Sequence, residues 1–239
     1  MRLVTWNCQA GLDKKIEVIR RLNPDILVLQ ECNESNALSI QPEVSNIWRT
    51  PGRPGQKGFG IYGFNGFTVT PIDPAIDYPW VIPCEVVTPT GDTWARLLGI
   101  WTNVQKNIDR PTYAGQFAST LHAWSQEIFT FPTVIAGDLN ASMQGPSKLP
   151  HAQNIESAKA LGLQSAYHLF NNVEHGEEPD MTLKWIGPGK IPYFYHCDFV
   201  FVSPQFQANG SCHIDQLFSS SETHISDHQA VVVDFPMTH

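Results

Sequence analysis

Hydrophobic positions along the chain follow two rhythms. Continuous apolar runs closed by polar residues recur at "RLVTW" (2–6), "DILVLQE" (25–31), "TVIA" (133–136), "CDFVFVS" (197–203), "SCHIDQLFS" (211–219) and "AVVVDF" (230–235), and read as buried strands. Between the first two, Ile16, Ile19 and Leu22 recur at helical spacing, with Asp13 placed to cap the helix and Asn23-Pro24 to stop it. Tyr113 to Phe129 carries Phe117, Leu121, Trp124 and Ile128 at intervals of three or four residues, which predicts one amphipathic helix. A second helix is predicted over 152–161.

From 58 to 101 the pattern changes to short apolar runs cut by Gly and Pro, with "TPTGDT" (88–93) as a hairpin turn, so this stretch is expected to form antiparallel sheet. Residues 171–192 read as loop. No internal repeat, low-complexity tract or linker interrupts the pattern. Mixed strands with helices placed to cover them predict an α/β layered architecture with sheet packed on sheet.

At 239 residues and 42% hydrophobic content, one domain over 1–239 is expected. The opening "MRLVTW" lacks the basic and apolar regions of a signal peptide, and no apolar run reaches the ~20 residues that span a bilayer. The expectation is a soluble, cytoplasmic monomer without membrane partners. Five cysteines at scattered spacings suggest buried thiols rather than disulfides or a thiolate zinc site. A net charge of −8 argues against a broad basic groove for long duplex DNA. A local basic rim stays open, from Arg49, Arg53 and Lys57 in one loop and Lys106 and Arg110 in another, against the alternative of solvated loop charges.

The candidate chemistry lies where the strands end. Asn7 follows "LVTW", Glu31 follows "ILVLQ", Asp138 and Asn140 follow "VIAG", Asp198 opens "DFVFV", and Asp227-His228 precede the last strand. In the "TVIAGDLNAS" stretch the strand is read as ending at Ala136 and the chain as turning at Gly137. Each polar residue alone is an ordinary loop acid or amide; together they form a set rich in carboxylates and amides. Such a set suits a hard divalent cation better than zinc or copper, because Mg²⁺ prefers oxygen ligands. It also supplies what phosphoester hydrolysis requires: charge neutralisation, a water-orienting base and donors to the transition state.

The ordered pieces "TWNCQ", "LVLQE", "AGDLNA", "YHCDFVFVS" and "SDHQAVVV" resemble the endonuclease/exonuclease/phosphatase superfamily over residues 5–233. The resemblance implies a DNase I-like fold, a four-layered α/β sandwich of two packed mixed β-sheets flanked by helices. It implies a Mg²⁺-dependent phosphoesterase, with Mn²⁺ as an alternative ion. Glu31 is then the principal metal ligand, with Asn7 as ligand or positioning group and Asp227 near the metal or its waters. Asp138 aligns and activates water, and Asn140 orients Asp138 and touches phosphate. His228 contacts a nonbridging oxygen or transfers a proton, with Asp198 bonded to it. Whether one or two metals act, and whether Asp138 or His228 is the base, stays open.

Two departures narrow the substrate. Where the family carries a His or Tyr, this chain has "GIWTNVQKN" (99–107), leaving Asn103 as a candidate phosphate contact and Trp101 as a core residue. Where abasic endonucleases place an Asp two residues after the first Asn, this chain has Gln9. Trp185, Tyr193, Phe194 and Tyr195, with Lys184, Lys190 and His196, either line the site and stack a base or pack beneath a strand; Lys57 is a further candidate substrate contact. The expected substrate is DNA or RNA, cleaved at phosphodiester bonds. A small phosphoester (nucleotide, inositol phosphate or lipid head group) and a catalytically idle binding member of the fold are the alternatives.

Overall fold

Fourteen strands and five α-helices are set out by the computed structural model, which describes residues 1–12, 15–33, 45–52, 56–104, 111–216 and 225–237. The opening runs β1 (Arg2–Asn7), α1 (Ile16–Leu22), β2 (Ile26–Cys32), β3 (Ser45–Arg49) and β4 (Gly58–Gly63). Next come β5 (Thr68–Pro71), β6 (Val81–Val87), β7 (Thr93–Trp101), α2 (Tyr113–Ala123), α3 (Ser125–Thr130), β8 (Thr133–Asp138) and α4 (Lys148–Ala160). The chain closes with β9 (Gln164–Ser165), α5 (Ala166–Asn171), β10 (Leu183–Ile186), β11 (Pro192–Tyr195), β12 (Asp198–Val202), β13 (Ser211–Asp215) and β14 (Ala230–Asp234).

Two six-stranded sheets result, ordered β13-β14-β1-β2-β4-β3 and β5-β6-β7-β8-β12-β9, with β10 and β11 forming a separate hairpin. Both sheets are mixed, since β1 pairs in parallel with β2, and β7 with β8, while their other neighbours are antiparallel. Strand side chains alternate between faces, so each sheet has two apolar faces to cover. Leu3, Val28 and Ile61 of the first sheet meet Leu97, Val134 and Val200 of the second in the central layer. The outer face of the first sheet, with Val4, Trp6, Leu27 and Leu29, takes Ile19 and Leu22 of α1. The outer face of the second, with Ile100, Ile135, Phe199 and Phe201, takes Phe117 and Leu121 of α2 and Ile155 and Ala158 of α4. The four-layered α/β sandwich expected from the resemblance is the architecture found.

Several elements differ from expectation. The stretch 58–101 divides between the two sheets: β4 pairs with β2 and β3, and β5 to β7 build the other sheet. The single helix over 113–129 breaks at Trp124, which leaves helical geometry (φ −104°, ψ 11°) as Ser125 Oγ bonds the His122 carbonyl. The strand at 133 does not turn at Gly137 but continues through Asp138. The loop-rich 171–192 segment instead contributes β10 and, with 192–195, a hairpin. Asp13, the expected cap of α1, lies outside the described residues, while Asn23 ends that helix in the left-handed region (φ 48°) as expected. Among the described residues no helix is long and apolar enough to cross a membrane, and the five thiols are all free and buried.

Candidate active site

Strand direction brings the polar strand ends to one edge of the sandwich. Parallel β1 and β2 deliver Asn7 and Glu31 together, and β8 delivers Asp138. Antiparallel β12 begins with Asp198 directly opposite Asp138 in the ladder. The turn into β14, antiparallel to β1, supplies Asp227 and His228.

Asp138 is the most tightly held of these groups. Its Oδ1 accepts from the Asn140 backbone N–H (2.7 Å), and its Oδ2 accepts from Asn140 Nδ2 (2.9 Å) and Asn7 Nδ2 (3.0 Å). Asn140 reaches back because it adopts a left-handed conformation (φ 46°), a state asparagine tolerates, and its amide also donates to the Thr102 carbonyl (3.0 Å). Gly137 fits Asp138 to the neighbouring strand: at φ 151° its backbone approaches β7 so closely that a Cβ would lie 1.8 Å from the Ile100 carbonyl oxygen.

Asp198 Oδ2 faces His228 Nδ1 at 2.9 Å, while Asp198 Oδ1 is buried without a hydrogen bond in the protein. His228 is positioned through its backbone as well: Ser226 Oγ accepts from the His228 N–H (3.0 Å) and donates to the Asn7 carbonyl (2.7 Å), joining the two strand ends. Thr182 fixes the other partner, its Oγ1 accepting from the N–H groups of Cys197 (3.0 Å) and Asp198 (3.1 Å). The Thr182 carbonyl accepts from the Gln229 N–H at 2.7 Å, so this one residue ties both halves of the imidazole–carboxylate pair.

Two buried carboxylates beside one imidazole set the electrostatics. Burial, then the Asp198 charge, raises the Asp138 pKa to about 7 against the lowering effects of His228 and the Asn7 and Asn140 bonds. For His228, burial lowers the pKa, but Asp198 and Asp138 outweigh it and bring the imidazole to about 10. These carboxylates favour the imidazolium form of His228. Asp198→Asn removes its hydrogen-bonded counter-charge, so the His228 pKa should fall, which imidazole NMR titration reads. A His228 titration unmoved by the substitution would show that Asp198 does not hold the imidazole proton.

Glu31 sits at a bulge between Gln30 and Cys32 with φ 57°, which turns its carboxylate out of the strand ladder. Its Oε1 accepts from Asn7 Nδ2 (3.2 Å) and its Oε2 from Lys57 Nζ (2.7 Å). Of the two roles expected for Asn7, ligand or positioning group, its bonds in the protein match the second: Asn7 Oδ1 accepts from the Gln9 N–H (3.1 Å), and its amide hydrogens face two carboxylates. It stands as a positioning donor. Lys57, the further candidate substrate contact, pairs with Glu31 at the edge of the cluster, its side chain half exposed. His196 is not in this cluster: its Nδ1 faces the Asp180 carbonyl at 2.9 Å and its ring packs on Phe199 and Tyr167. Asn103 is buried beside the Asn140 anchor, its Nδ2 donating to the Trp101 carbonyl (3.1 Å), and Trp101 is a core residue edge-on to Phe59. Tyr195 is half-buried on β11 with its ring 3.1 Å from the position a Cβ would take at Gly145.

The basic rim does not assemble from Arg49, which bonds Asp77 and the Tyr78 and Val81 carbonyls; Arg53, Lys106 and Arg110 lie outside the described residues. The aromatic hairpin does not pack beneath a strand: Trp185, Tyr193 and Phe194 are 45%, 40% and 47% exposed. It joins the site through the Lys184 N–H to Asp227 carbonyl bond (2.8 Å) and a bridge between Leu183 and His228. Residues the pattern did not reveal include Tyr113, whose phenol pKa is raised by burial and by Asp138, and Lys15, a buried ammonium bonded to the Cys8 carbonyl and lowered by burial. Neither shows as a strand-end residue; Tyr113 reads only as the start of a helix.

The carboxylates of Asp138, Asp198 and Glu31 suit a hard cation, whereas the Cys197 thiol, which burial keeps protonated, and the His228 imidazole beside them do not add to that fit. The ligating atoms of Asp138, Cys197, Asp198 and His228 lie within 4.8 Å of one another, Glu31 is bridged to them by Asn7, and Asp198 Oδ1 has no partner. Buried carboxylates this close call for positive charge.

Comparisons agree with this fold. Three solved structures match nearly the whole chain: a 3′ phosphatase, NExo, from Neisseria bound to a product DNA hairpin (20% identity, 99% of this chain and 100% of that chain, TM-score 0.69); an AP endonuclease from Archaeoglobus fulgidus (14%, 99% and 100%, 0.73); and the human Nocturnin catalytic domain with bound sulfate (19%, 100% and 93%, 0.67). At these identities they show the fold alone. No characterised protein sequence matches the chain. The profile of the Endonuclease/Exonuclease/phosphatase family matches residues 4–228, from the strand that carries Asn7 to His228, and the chain belongs to that family.

Proposed function

We propose that this chain is a divalent-metal-dependent phosphodiesterase that cleaves DNA or RNA with Mg²⁺ as its ion. The observation that carries the reading is the buried Asp138 carboxylate, bonded by three donors and set opposite the Asp198–His228 pair. Members of the family hydrolyse phosphoester bonds. Glu31 and Asp227 are the oxygen donors that would hold the cation, which would supply charge neutralisation to the phosphate. Asp138, with a pKa brought near neutrality, is suited to align an attacking water and take its proton. His228, protonated and fixed through Nδ1, presents the rest of its ring to a nonbridging phosphate oxygen. Asn140 and Asn7 hold Asp138 in register, so the base costs no reorganisation when the reaction occurs.

Support for nucleic acid comes from the exposed Trp185, Tyr193 and Phe194 beside the His228 turn, which offer rings for base stacking, and from the DNA hairpin in the Neisseria relative. The net charge of −8 favours short or single-stranded substrates over long duplex.

The deciding experiment measures hydrolysis of bis-p-nitrophenyl phosphate and a labelled oligonucleotide with Mg²⁺, Mn²⁺ or EDTA, for the wild type and His228→Ala. Turnover should vanish in EDTA, return with Mg²⁺, and fall at least ~100-fold in the variant. Metal-independent turnover would exclude the assignment. A panel of single-stranded, duplex and abasic DNA, RNA, inositol phosphates and sphingomyelin separates the nucleic-acid reading from a small phosphoester.

Metal should also report on stability. Asp138 carries a folded pKa above its unfolded value near 3.8, so the folded state binds the extra proton and loses stability as pH rises from about 4 to about 7. For His228, raised from 6.5 to about 10, the contribution is present below pH 6.5 and is lost as pH climbs through 10. A cation at the carboxylates relieves the first effect. The Mg²⁺-induced rise in Tm should therefore be larger at pH 8 than at pH 5; an equal rise at both would place the ion elsewhere.

A further inference from the structure

On the outer face of the second sheet, away from the carboxylates, lies a cluster of imidazoles that the hydrolytic chemistry does not use. His151 of α4, His168 of α5, His175 of the following loop and His196 surround the Phe199 ring, and Glu178 of that loop bonds His168. His151, His168 and His196 are buried, and Glu178 is 5% exposed.

We propose that His168, His175 and Glu178 form a zinc site, with His151 at hand as a fourth ligand. The ligating atoms of the first three already lie within 4.8 Å of one another. Two imidazoles and a carboxylate are a zinc donor set, in contrast to the oxygen-rich set at the strand ends.

The surroundings are arranged as a ligand's outer partners would be. His168 Nε2 faces Glu178 Oε1 at 2.9 Å while its Nδ1 meets Ser165 Oγ at 2.7 Å, which fixes the ring by its far nitrogen as metal-bound histidines are fixed. Glu178 is oriented by the Gly176 N–H on Oε1 (2.9 Å) and by Gln144 Nε2 on Oε2. His175 Nδ1 is buried without a hydrogen bond, and both ring nitrogens of His151 are buried with none. Buried unpaired imidazole nitrogens are costly; an ion shared by the rings would engage one nitrogen of each. Burial lowers His151 to about 4 and His175 to about 3, so both stand neutral with a lone pair free of protons. A cavity of about 300 Å³ lined by Lys159, Glu174, His168 and His175 opens beside the cluster and gives an ion a way in.

Binding requires a small rearrangement that is itself observable. His168 and His175 are stacked 3.5 Å apart and 17° from parallel, and a metal lies in the plane of each ring it binds, so the rings must turn out of the stack. Tetrahedral ligands at ~2.0–2.1 Å stand roughly 3.4 Å apart, so His168 and Glu178 need separate only slightly.

The test uses the full chain, stripped with chelator, given zinc in Mg²⁺ buffer and desalted. Wild type should keep one zinc per chain, and cobalt in its place should give the visible bands of a tetrahedral ion. His175→Asn and Glu178→Gln, checked for folding by circular dichroism, should each lose zinc affinity by more than the roughly 10–100-fold that removal of an outer partner costs. Asp138→Asn should retain both zinc and bands. The proposal is overturned if wild type keeps no zinc, if the two cluster variants keep it unchanged, or if Asp138→Asn alone loses it, which would assign the ion to the catalytic cleft. Should the cluster variants not fold, nitrogen NMR of wild type decides: the His168 and His175 ring signals must move with the first equivalent of zinc, and unmoved signals overturn the site.

Discussion

Replacing Asp138 with asparagine should reduce kcat for phosphodiester cleavage on the order of 1,000-fold, with KM little changed. Asparagine keeps the size and the bond from the Asn140 N–H but has no charge with which to accept a proton from water. Its amide nitrogen would also face Asn7 Nδ2 and Asn140 Nδ2, two donors now aimed at a donor. The loss should persist across pH 6 to 9, since no proton equilibrium at the site restores a base. Activity within tenfold of wild type, measured by steady-state kinetics on an oligonucleotide, would move the base to another group, with His228 the first to examine.

The largest effect on stability is expected one residue earlier. Gly137→Ala places a methyl 1.8 Å from the Ile100 carbonyl oxygen and 3.0 Å from its Cγ2, in a backbone conformation that side chains rarely adopt. The near atom is backbone in the paired strand, so neither side-chain rotation nor solvent can relieve the clash. Either β7 and β8 part at the Ile100–Gly137 pair or the residue changes conformation and carries Asp138 with it. Destabilisation above ~4 kcal/mol is expected, which for a chain of this size lowers Tm by roughly 8–16 °C. Gly91→Ala separates the two causes: Gly91 also has positive φ (92°), but nothing lies within 4 Å of its added methyl, so its Tm should fall far less. Equal losses in the two variants would mean that the contact with Ile100 is not what matters.

The strands that position the site were legible because burial on both faces leaves a continuous apolar run. β1, β2, β8, β12 and β14 all show it. The polar strand ends were legible for the same reason, as a carboxylate after such a run is conspicuous. Elements with neither face fully covered were not: β3 reads "SNIWR", and the β10–β11 hairpin is mostly exposed and carries Gly187, Pro188 and Gly189 at its turn. Its aromatics resemble a buried strand in composition while standing in solvent. The role of Asn7 was not legible, because one amide can turn either its oxygen or its hydrogens toward a neighbour, and only the approach of Glu31 and Asp138 decides which. The imidazole cluster was invisible for want of spacing. His151, His168, His175 and His196 come from α4, α5, a loop and the lead into β12, and only H-x6-H-x2-E between His168 and Glu178 hinted at ligation.

Thr182 separates what must stay from what can change. Its carbonyl and hydroxyl hold Gln229, Cys197 and Asp198 at the base of the β10–β11 hairpin, so the hairpin tip between 186 and 192 can lengthen, shorten or trade its residues while the strand-end groups keep their places. Divergence in what is bound therefore has a ready segment in which to accumulate, one whose remodelling leaves the strand-end groups undisturbed.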